Sequence, residues 1–422
     1  MAEKLLNQYE KPGRQHYKIL GLSWAGWVFD FYDLILFTFL IIPIGAELGI
    51  SHLQLSYALG LSLAATAAGG VVFGVLSDRI GRKKILQLTI IVYSLGTFLC
   101  GFAFNLESLI IFRIITGLGV GGEWATGQTF IGETFPAKYR GRYTSFMQSG
   151  APLGILLASV VGGFLLPNIG WRYCFMISVL PALMVIFVRR GLPESDVWLQ
   201  ESKKKTIKTV KKIKYSSSKF LTLFTKKYRK TFLLALVLSI FGLSTYWFTY
   251  SWLPDYLYME RGFSLTKSAE WIIVTQLGGL LGYLSFGYVA DRLGRRPAFT
   301  IYTFIMALGL VMITICWNCL IGDPQLILFF MFLVGFGTGF FGGFGALYSE
   351  IFPTTIRNTA SGTAFNVGRG VQFFTPVLII LIAQVYDLGA GIFLAAVFAV
   401  ATGLWIWMFP ETRGTDLMEI ET

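Results

Sequence analysis

Twelve stretches of this chain are each apolar over about twenty residues or more, and that repetition constrains the fold more than any other feature. They run roughly over 18–45, 54–76, 85–104, 106–134, 143–166, 171–190, 231–256, 268–290, 298–320, 325–349, 358–386 and 389–410. A helix rising 1.5 Å per residue needs about 20 residues to cross a hydrocarbon core of about 30 Å. Within hydrocarbon every backbone N–H and C=O must be bonded inside its own helix or around a closed barrel. The stretches lack the two-residue alternation of barrel strands, so they read as twelve membrane-spanning helices, an all-α membrane protein. Only 14% of the 422 residues are charged and 55% are hydrophobic, whereas soluble domains carry about a quarter charged residues. This excludes a water-soluble enzyme and a disordered chain.

The formal charge of +12 is spread between the spans rather than gathered in a patch, so it does not call for nucleic acid. With the N-terminus placed inside, thirty of the 35 Lys and Arg fall on the inner face, and only Arg172, Arg261 and Lys267 lie in outer loops. That bias predicts a multi-pass protein of the cell membrane with both termini in the cytoplasm. No cleavable signal peptide is read, because the first apolar run is too long for one. Cys100, Cys174, Cys316 and Cys319 all sit in apolar segments and form no disulfide framework.

The chain repeats itself. Gly74-Val75-Leu76-Ser77-Asp78-Arg79-Ile80-Gly81-Arg82-Lys83 returns as Gly287-Tyr288-Val289-Ala290-Asp291-Arg292-Leu293-Gly294-Arg295-Arg296, at an offset of 213 residues. Glu133-Thr134-Phe135-Pro136 followed by Arg140 returns as Glu350-Ile351-Phe352-Pro353 followed by Arg357, at an offset of 217. The repeat predicts a six-helix bundle over 1–190, a basic cytoplasmic linker over 191–230 and a second bundle over 231–422. Parallel repeats of this kind place a substrate site at the midplane between the halves. The linker lies on an anionic membrane face or is simply solvated.

The doubled loop resembles the signature of the major facilitator superfamily, and the resemblance covers essentially the whole chain. Gly121-Gly122-Glu123-Trp124, Leu192-Pro193-Glu194-Ser195 and Pro410-Glu411-Thr412-Arg413-Gly414 are similar to the sugar-porter and organic-acid/proton symporter branches. Trp27-Val28-Phe29-Asp30-Phe31-Tyr32-Asp33 resembles the sialate/proton symporter family, which includes lactate permeases, and the related aromatic-acid symporters. The resemblance implies the major facilitator fold and proton-coupled symport of an organic anion by alternating access. Drug/proton antiporters carry a glycine–proline motif in span 5, and Ile155 stands where its proline is expected.

Ionisable side chains inside a span are costly and mark function by default. Asp30 and Asp33 in span 1, Arg113 and Glu123 in span 4 and Arg369 in span 11 qualify. Asp30 lies roughly 18 Å from the inner end of its span, and Glu123, Gln276 and Arg369 fall near the same depth. These four converge at the midplane if their faces point inward. Asp33 and Arg113 lie slightly further out and suit an intramembrane ion pair, structural or mobile. A carboxyl in a half-dry aromatic cavity can exchange a proton at physiological pH, so Asp30, Asp33 and Glu123 are the proton-coupling candidates; for Glu123 a packing role competes. Arg369 can bind a carboxylate through two parallel hydrogen bonds without losing its proton. By the register of Thr144-Ser145-Phe146 and Thr363-Ala364-Phe365, the first half has Gly150 where the second has Arg369. A structural pair between Arg369 and Asp30 is the competing role. Trp27, Gln148, Tyr246, Trp247 and Asn366 complete a cavity for a medium-sized, partly apolar acid.

Asp78, Arg79, Arg82, Asp291 and Arg292 in the repeated loops are expected to pair with Glu133, Arg140, Glu350 and Arg357 at the ends of spans 4 and 10, forming a cytoplasmic gate. The expected partners are a small organic acid, protons and lipid, with no nucleic acid, and the protein is read as a monomer. No cofactor, metal site or ATP-binding loop is read, so a proton gradient is the expected driving force. Gly117, Gly119 and Gly122 match a dinucleotide fingerprint only as a string, because they lie in an apolar helix where small residues permit close packing. A sugar or polyol carrier, and a sensor that has lost flux, remain the alternatives.

Overall fold

The computed structural model describes residues 5–177, 192–209, 219–250, 256–263, 265–320 and 322–417, with residues 179, 253 and 420 besides. Most of the later part of span 6, Ser216 to Ser218 of the linker and the last residues of span 7 lie outside that set. Among the described residues all regular structure is helical. The first half comprises α1 (Arg14–Leu48), α2 (His52–Ile80), α3 (Arg82–Cys100), α4 (Leu106–Thr134), α5 (Arg140–Gln148), α6 (Gly150–Val160) and α7 (Leu166–Ile177). The connecting segment holds α8 (Asp196–Thr209) and the single turn α9 (Lys219–Thr222). The second half comprises α10 (Arg229–Tyr250), α11 (Leu265–Leu293), α12 (Arg295–Thr314), the single turn α13 (Trp317–Leu320), α14 (Pro324–Gly337), α15 (Gly342–Ile351), α16 (Arg357–Val371), α17 (Thr375–Val385) and α18 (Leu388–Trp405).

Among the described residues nine helices are long and apolar enough to cross a membrane, the glycine-rich span 10 counted as one despite its 3-10 turn at Thr338–Phe341. Spans 5 and 11 cross in pieces for a common reason. Pro152 has no N–H to bond the carbonyl of Gln148, and its ring crowds that carbonyl, so the helix breaks at Ser149. Pro376 likewise offers no N–H to Gln372, and span 11 passes through a 3-10 turn at Gln372–Phe374. Arg369 stands in the last turn before that break. Span 6 follows Gly170, whose φ of 78° turns the chain after span 5.

Helices within each half pack through small residues. A Cβ on Gly117 or Gly121 would strike the backbone oxygens of Ser62 and Thr66 on α2, and one on Gly335 would strike that of Thr275 on α11. Charges at the two ends of the molecule are used differently. At the end opposite the basic loops, Glu47 binds Arg172 at 3.0 Å and accepts from Trp171 Nε1 at 2.7 Å, all within the first half. At the basic end, carboxylates and arginines join one half to the other, and the molecule is closed there.

The repeated loop explains how its helices start. Gly81 and Gly294 precede α3 and α12 with φ of 107° and 108°, a region that other residues rarely adopt. A Cβ at either position would also collide with the carboxylate of Glu194 or Glu411, which caps the helix that follows. Gly81→Ala and Gly294→Ala are therefore expected to cost about 1–3 kcal/mol each and to lower the thermal unfolding midpoint in detergent. Gly21→Ala, at a helical position with open space around it, serves as the control and should leave the midpoint unchanged or raise it slightly.

Candidate functional site

Two buried triads close the basic end. Glu133 at the end of α4 accepts from Arg82 Nε at 3.0 Å and Nη2 at 2.8 Å, and from Arg357 Nη1 of the other half at 2.8 Å. Glu350 at the end of α15 accepts from Arg295 Nε at 3.1 Å and Nη2 at 2.8 Å, and from Arg140 Nη1 of the first half at 3.0 Å. Each carboxylate thus holds one arginine of its own half and one of the opposite half. Ser195 Oγ donates to Glu133 at 2.5 Å, and Thr412 Oγ1 donates to Glu350 at 2.7 Å.

The loop aspartates cap helices across the divide. Asp78 accepts the N–H groups of Asn358 and Thr359 at 3.2 and 2.8 Å, at the start of α16. Asp291 accepts those of Gly141 and Arg142 at 3.1 Å each, at the start of α5. A carboxylate at a helix N-terminus meets unbonded N–H groups and the positive end of the helix dipole. Each aspartate also pairs with the arginine four residues on, Asp78 with Arg82 at 3.0 Å and Asp291 with Arg295 at 2.8 Å. Glu194 accepts the N–H of Arg82 at 2.9 Å, and burial nevertheless holds its carboxyl above the usual carboxylate range.

A second cluster lies at the meeting of the halves. Asp30 on α1 and Arg369 on α16 are both buried. Arg369 lies within electrostatic reach of Asp30 and Tyr246. Its guanidinium faces the rings of Trp27 at 5.7 Å and Phe365 at 5.8 Å. Phe365 stacks on Trp124 of the first half at 3.6 Å between centroids. Tyr246 packs on Tyr250 at 4.7 Å and on Phe341 at 6.0 Å. Gln148 Oε1 accepts from Trp124 Nε1 at 2.8 Å and from Gln128 Nε2 at 3.2 Å. Among the described residues, none hydrogen-bonds to the buried Trp27 Nε1.

Asp33 and Arg113 form a separate site, 3.0 Å apart and buried between α1 and α4. Thr97 Oγ1 donates to the other Asp33 oxygen at 2.6 Å, and Arg113 lies over Phe37 at 4.6 Å. Trp247 and Gln276 are half-buried, Trp247 beside Tyr246 at 5.9 Å.

Four readings from the sequence need correction. Glu123, expected beside Asp30 and Arg369, is bonded by Thr89 of α3 in its own half at 2.7 Å. One residue turns a helix by about 100°, so Trp124 faces the other half while Glu123 faces a neighbour in its own. Asn366 donates to the carbonyls of Gly121 and Gly362 at 2.9 and 3.0 Å, sealing the halves together instead of lining a cavity. Arg79 and Arg292 are exposed and take no part in the triads; the arginines four residues after each aspartate, Arg82 and Arg295, share its helical face. The segment from Leu192 to Trp198 is no free connector, because Ser195 binds Glu133, and Trp198 Nε1 donates to the Asp78 carbonyl at 3.3 Å. Arg295 was missed, although it lies 213 residues after Arg82. Glu194, Ser195, Glu411 and Thr412 sat in quoted motifs without a role, and Gln128 and Phe365 gave no signal as single residues.

Helical halves, a charge-locked end and a polar cluster between the halves define a transporter of the major facilitator type. The chain belongs to the sugar (and other) transporter family, whose model matches residues 7–422. It is 34% identical over 406 residues to a metabolite transport protein of Haemophilus influenzae, covering 95% of this chain and 98% of that one. It is 30% identical over 400 residues to the sialic acid transporter NanX of Escherichia coli, covering 94% of each. Among solved structures, the proton:xylose symporter XylE bound to 6-bromo-6-deoxy-D-glucose superposes with a TM-score of 0.78 at 21% identity, covering 96% of this chain and 98% of that one.

Two outcomes follow from this geometry. Asp78→Asn weakens the cap on α16, so a cysteine at the buried position Ser361 should be labelled from the basic side on the order of ten times faster; equal rates would show that the cap does not hold this end shut. Arg113→Met alone strands Asp33 and should cost about 3–5 kcal/mol. Adding Asp33→Leu should recover most of that loss in a thermal unfolding series, whereas additive losses would show that the pair does not act as a unit.

Proposed function

We propose that the protein is a proton-coupled symporter of an organic anion in the cell membrane, with both termini and the basic end in the cytoplasm. The observation that carries this reading is Arg369. It is buried between the halves, held by aromatic faces and the field of Asp30, and among the described residues it has no ion pair within 4.0 Å. A guanidinium so placed offers its planar fork to a carboxylate. Sialic acid, the substrate in the name of one relative, carries a carboxylate.

Asp30 is the proton site of the cycle. Ionised, it attracts Arg369; protonated, it releases the guanidinium to the incoming anion. Trp27, Tyr246 and Phe365 supply the apolar walls, with Trp247, Gln148 and Gln276 nearby. Proton and anion together leave the midplane with no added net charge, which lowers the cost of closing the halves over it. The triads at the cytoplasmic end then open and the substrate leaves. Asp33 and Arg113, outside this cluster, keep the first half rigid. The two bundles, 1–190 and 231–422, rock about a site that needs no second copy, and 191–230 joins them.

The family's sugar members and the likeness to XylE favour a second reading, a carrier of neutral sugars. Proteoliposomes with a pH dye inside separate the two. A panel of mono- and dicarboxylates added outside should acidify the lumen with one acid, more strongly at lower external pH, beyond the leak of protein-free liposomes. Arg369→Gln should reduce this flux roughly 10- to 100-fold, and Asp30→Asn should abolish acidification. Entry of labelled sugar without protein-dependent acidification, retained in Arg369→Gln, would overturn the anion reading.

A further inference from the structure

Outside the transport path, a pocket of about 680 Å³ opens at the basic end, lined by Ala137, Lys138, Arg142, Asp291, Arg292, Arg413 and Gly414. Four of these side chains are cationic and one is anionic. The anion is already engaged: Asp291 accepts from Arg295, Gly141 and Arg142 and pairs with the Arg142 side chain at 3.4 Å. Arg142 is fixed over the rings of Tyr139 at 5.2 Å and Tyr288 at 4.5 Å, and Arg413 is fixed by donating to the Arg292 carbonyl at 2.6 Å. Arg142 and Arg413 are therefore placed in advance, around a cavity whose one lining carboxylate among the described residues is in use.

The repeat shows that this charge is not needed for closing the gate. At the equivalent positions around Asp78 the other copy has Thr355 for Lys138, Thr359 for Arg142, Arg79 for Arg292 and Asp196 for Arg413. One copy carries four cations; the other carries one cation and one anion, and is partly covered by Trp198 of α8. Both copies nevertheless make the same triad and the same helix cap. The extra cations belong to a task that only one side performs.

We propose that this pocket binds a phosphate-type oxyanion at the cytoplasmic face and stabilises the closed cytoplasmic end. The oxyanion is the headgroup of an anionic phospholipid or a soluble phosphate; basic pockets between helices on this face suit both. Lys138 and Arg142 come from the first half, and Arg292 and Arg413 from the second, so a ligand touching both sets is bound fully only while that end is shut. A ligand that prefers one state shifts the population towards it.

The test uses the full chain in phosphatidylcholine nanodiscs, with phosphatidylglycerol added in one arm and inorganic phosphate in the other. The bound probe should raise the unfolding midpoint and slow labelling of Ser361→Cys. In Lys138→Gln/Arg413→Gln the apparent affinity should fall roughly five-fold for each cation removed. Arg79→Gln, at the equivalent place in the other copy, should leave the response intact. A response to phosphatidylglycerol alone assigns the lipid, and one to phosphate alone assigns the soluble ligand. If the double variant fails to fold, Lys138→Thr, which copies the other repeat, gives the same reading. An undiminished response in these variants, or no response in either arm, overturns the proposal.

Discussion

Glu133 and Glu350 at the basic end are each shared by two arginines, one from either half, and the closed form of the molecule rests on that sharing. A buried ion pair is weak support for a fold, because desolvation offsets much of its attraction. Here it is a device for choosing between arrangements. Within its own half Glu133 has Arg82 and Glu350 has Arg295. In the proposed cycle the contacts to break are those with Arg357 and Arg140. Each carboxylate would then keep one arginine, so opening would cost less than deleting a partner.

The same economy governs the middle of the molecule. Arg369 has no direct carboxylate partner among the described residues and is held by ring faces and a nearby charge. Asp33 and Arg113 are paired directly, with Thr97 bonding the second Asp33 oxygen and Phe37 under the guanidinium. Two buried arginines in one membrane protein are thus treated in opposite ways. The paired one belongs to its own bundle, and the other, in the proposed reading, has its hydrogen-bonding capacity left for an incoming anion.

Much of this could be read from the chain alone, because hydrophobic length, lysine and arginine bias and a doubled motif each act over many residues. The offset between Asp78 and Asp291 pairs the two loops whose charges join the halves at the basic end. What escaped was azimuth. Glu123 and Trp124 are neighbours with the same depth, yet they face different helices, and depth alone could not separate them. Arg79 and Arg82 posed the same problem, which the four-residue spacing from Asp78 could have resolved. Asn366 looked like a cavity residue because it lies one turn from Arg369; its bond to the Gly121 carbonyl of the other half shows that it fills a seam. Broken spans were the other omission. Hydropathy averages over Pro152 and Pro376 and sees a continuous helix, whereas the missing N–H interrupts it.

The C-terminal stretch is part of the lock rather than a tail. Glu411 caps α12, Thr412 bonds Glu350, Arg413 bonds the Arg292 carbonyl and the Thr415 carbonyl accepts from Arg140 Nη1 at 3.2 Å. A purification tag or fluorescent protein fused after Phe409 would cut into the conformational equilibrium itself, and one fused beyond Asp416 would ride on it. A reporter attached at that second point would sit beside the seam at the basic end, where the proposed cycle would change its surroundings at each turnover.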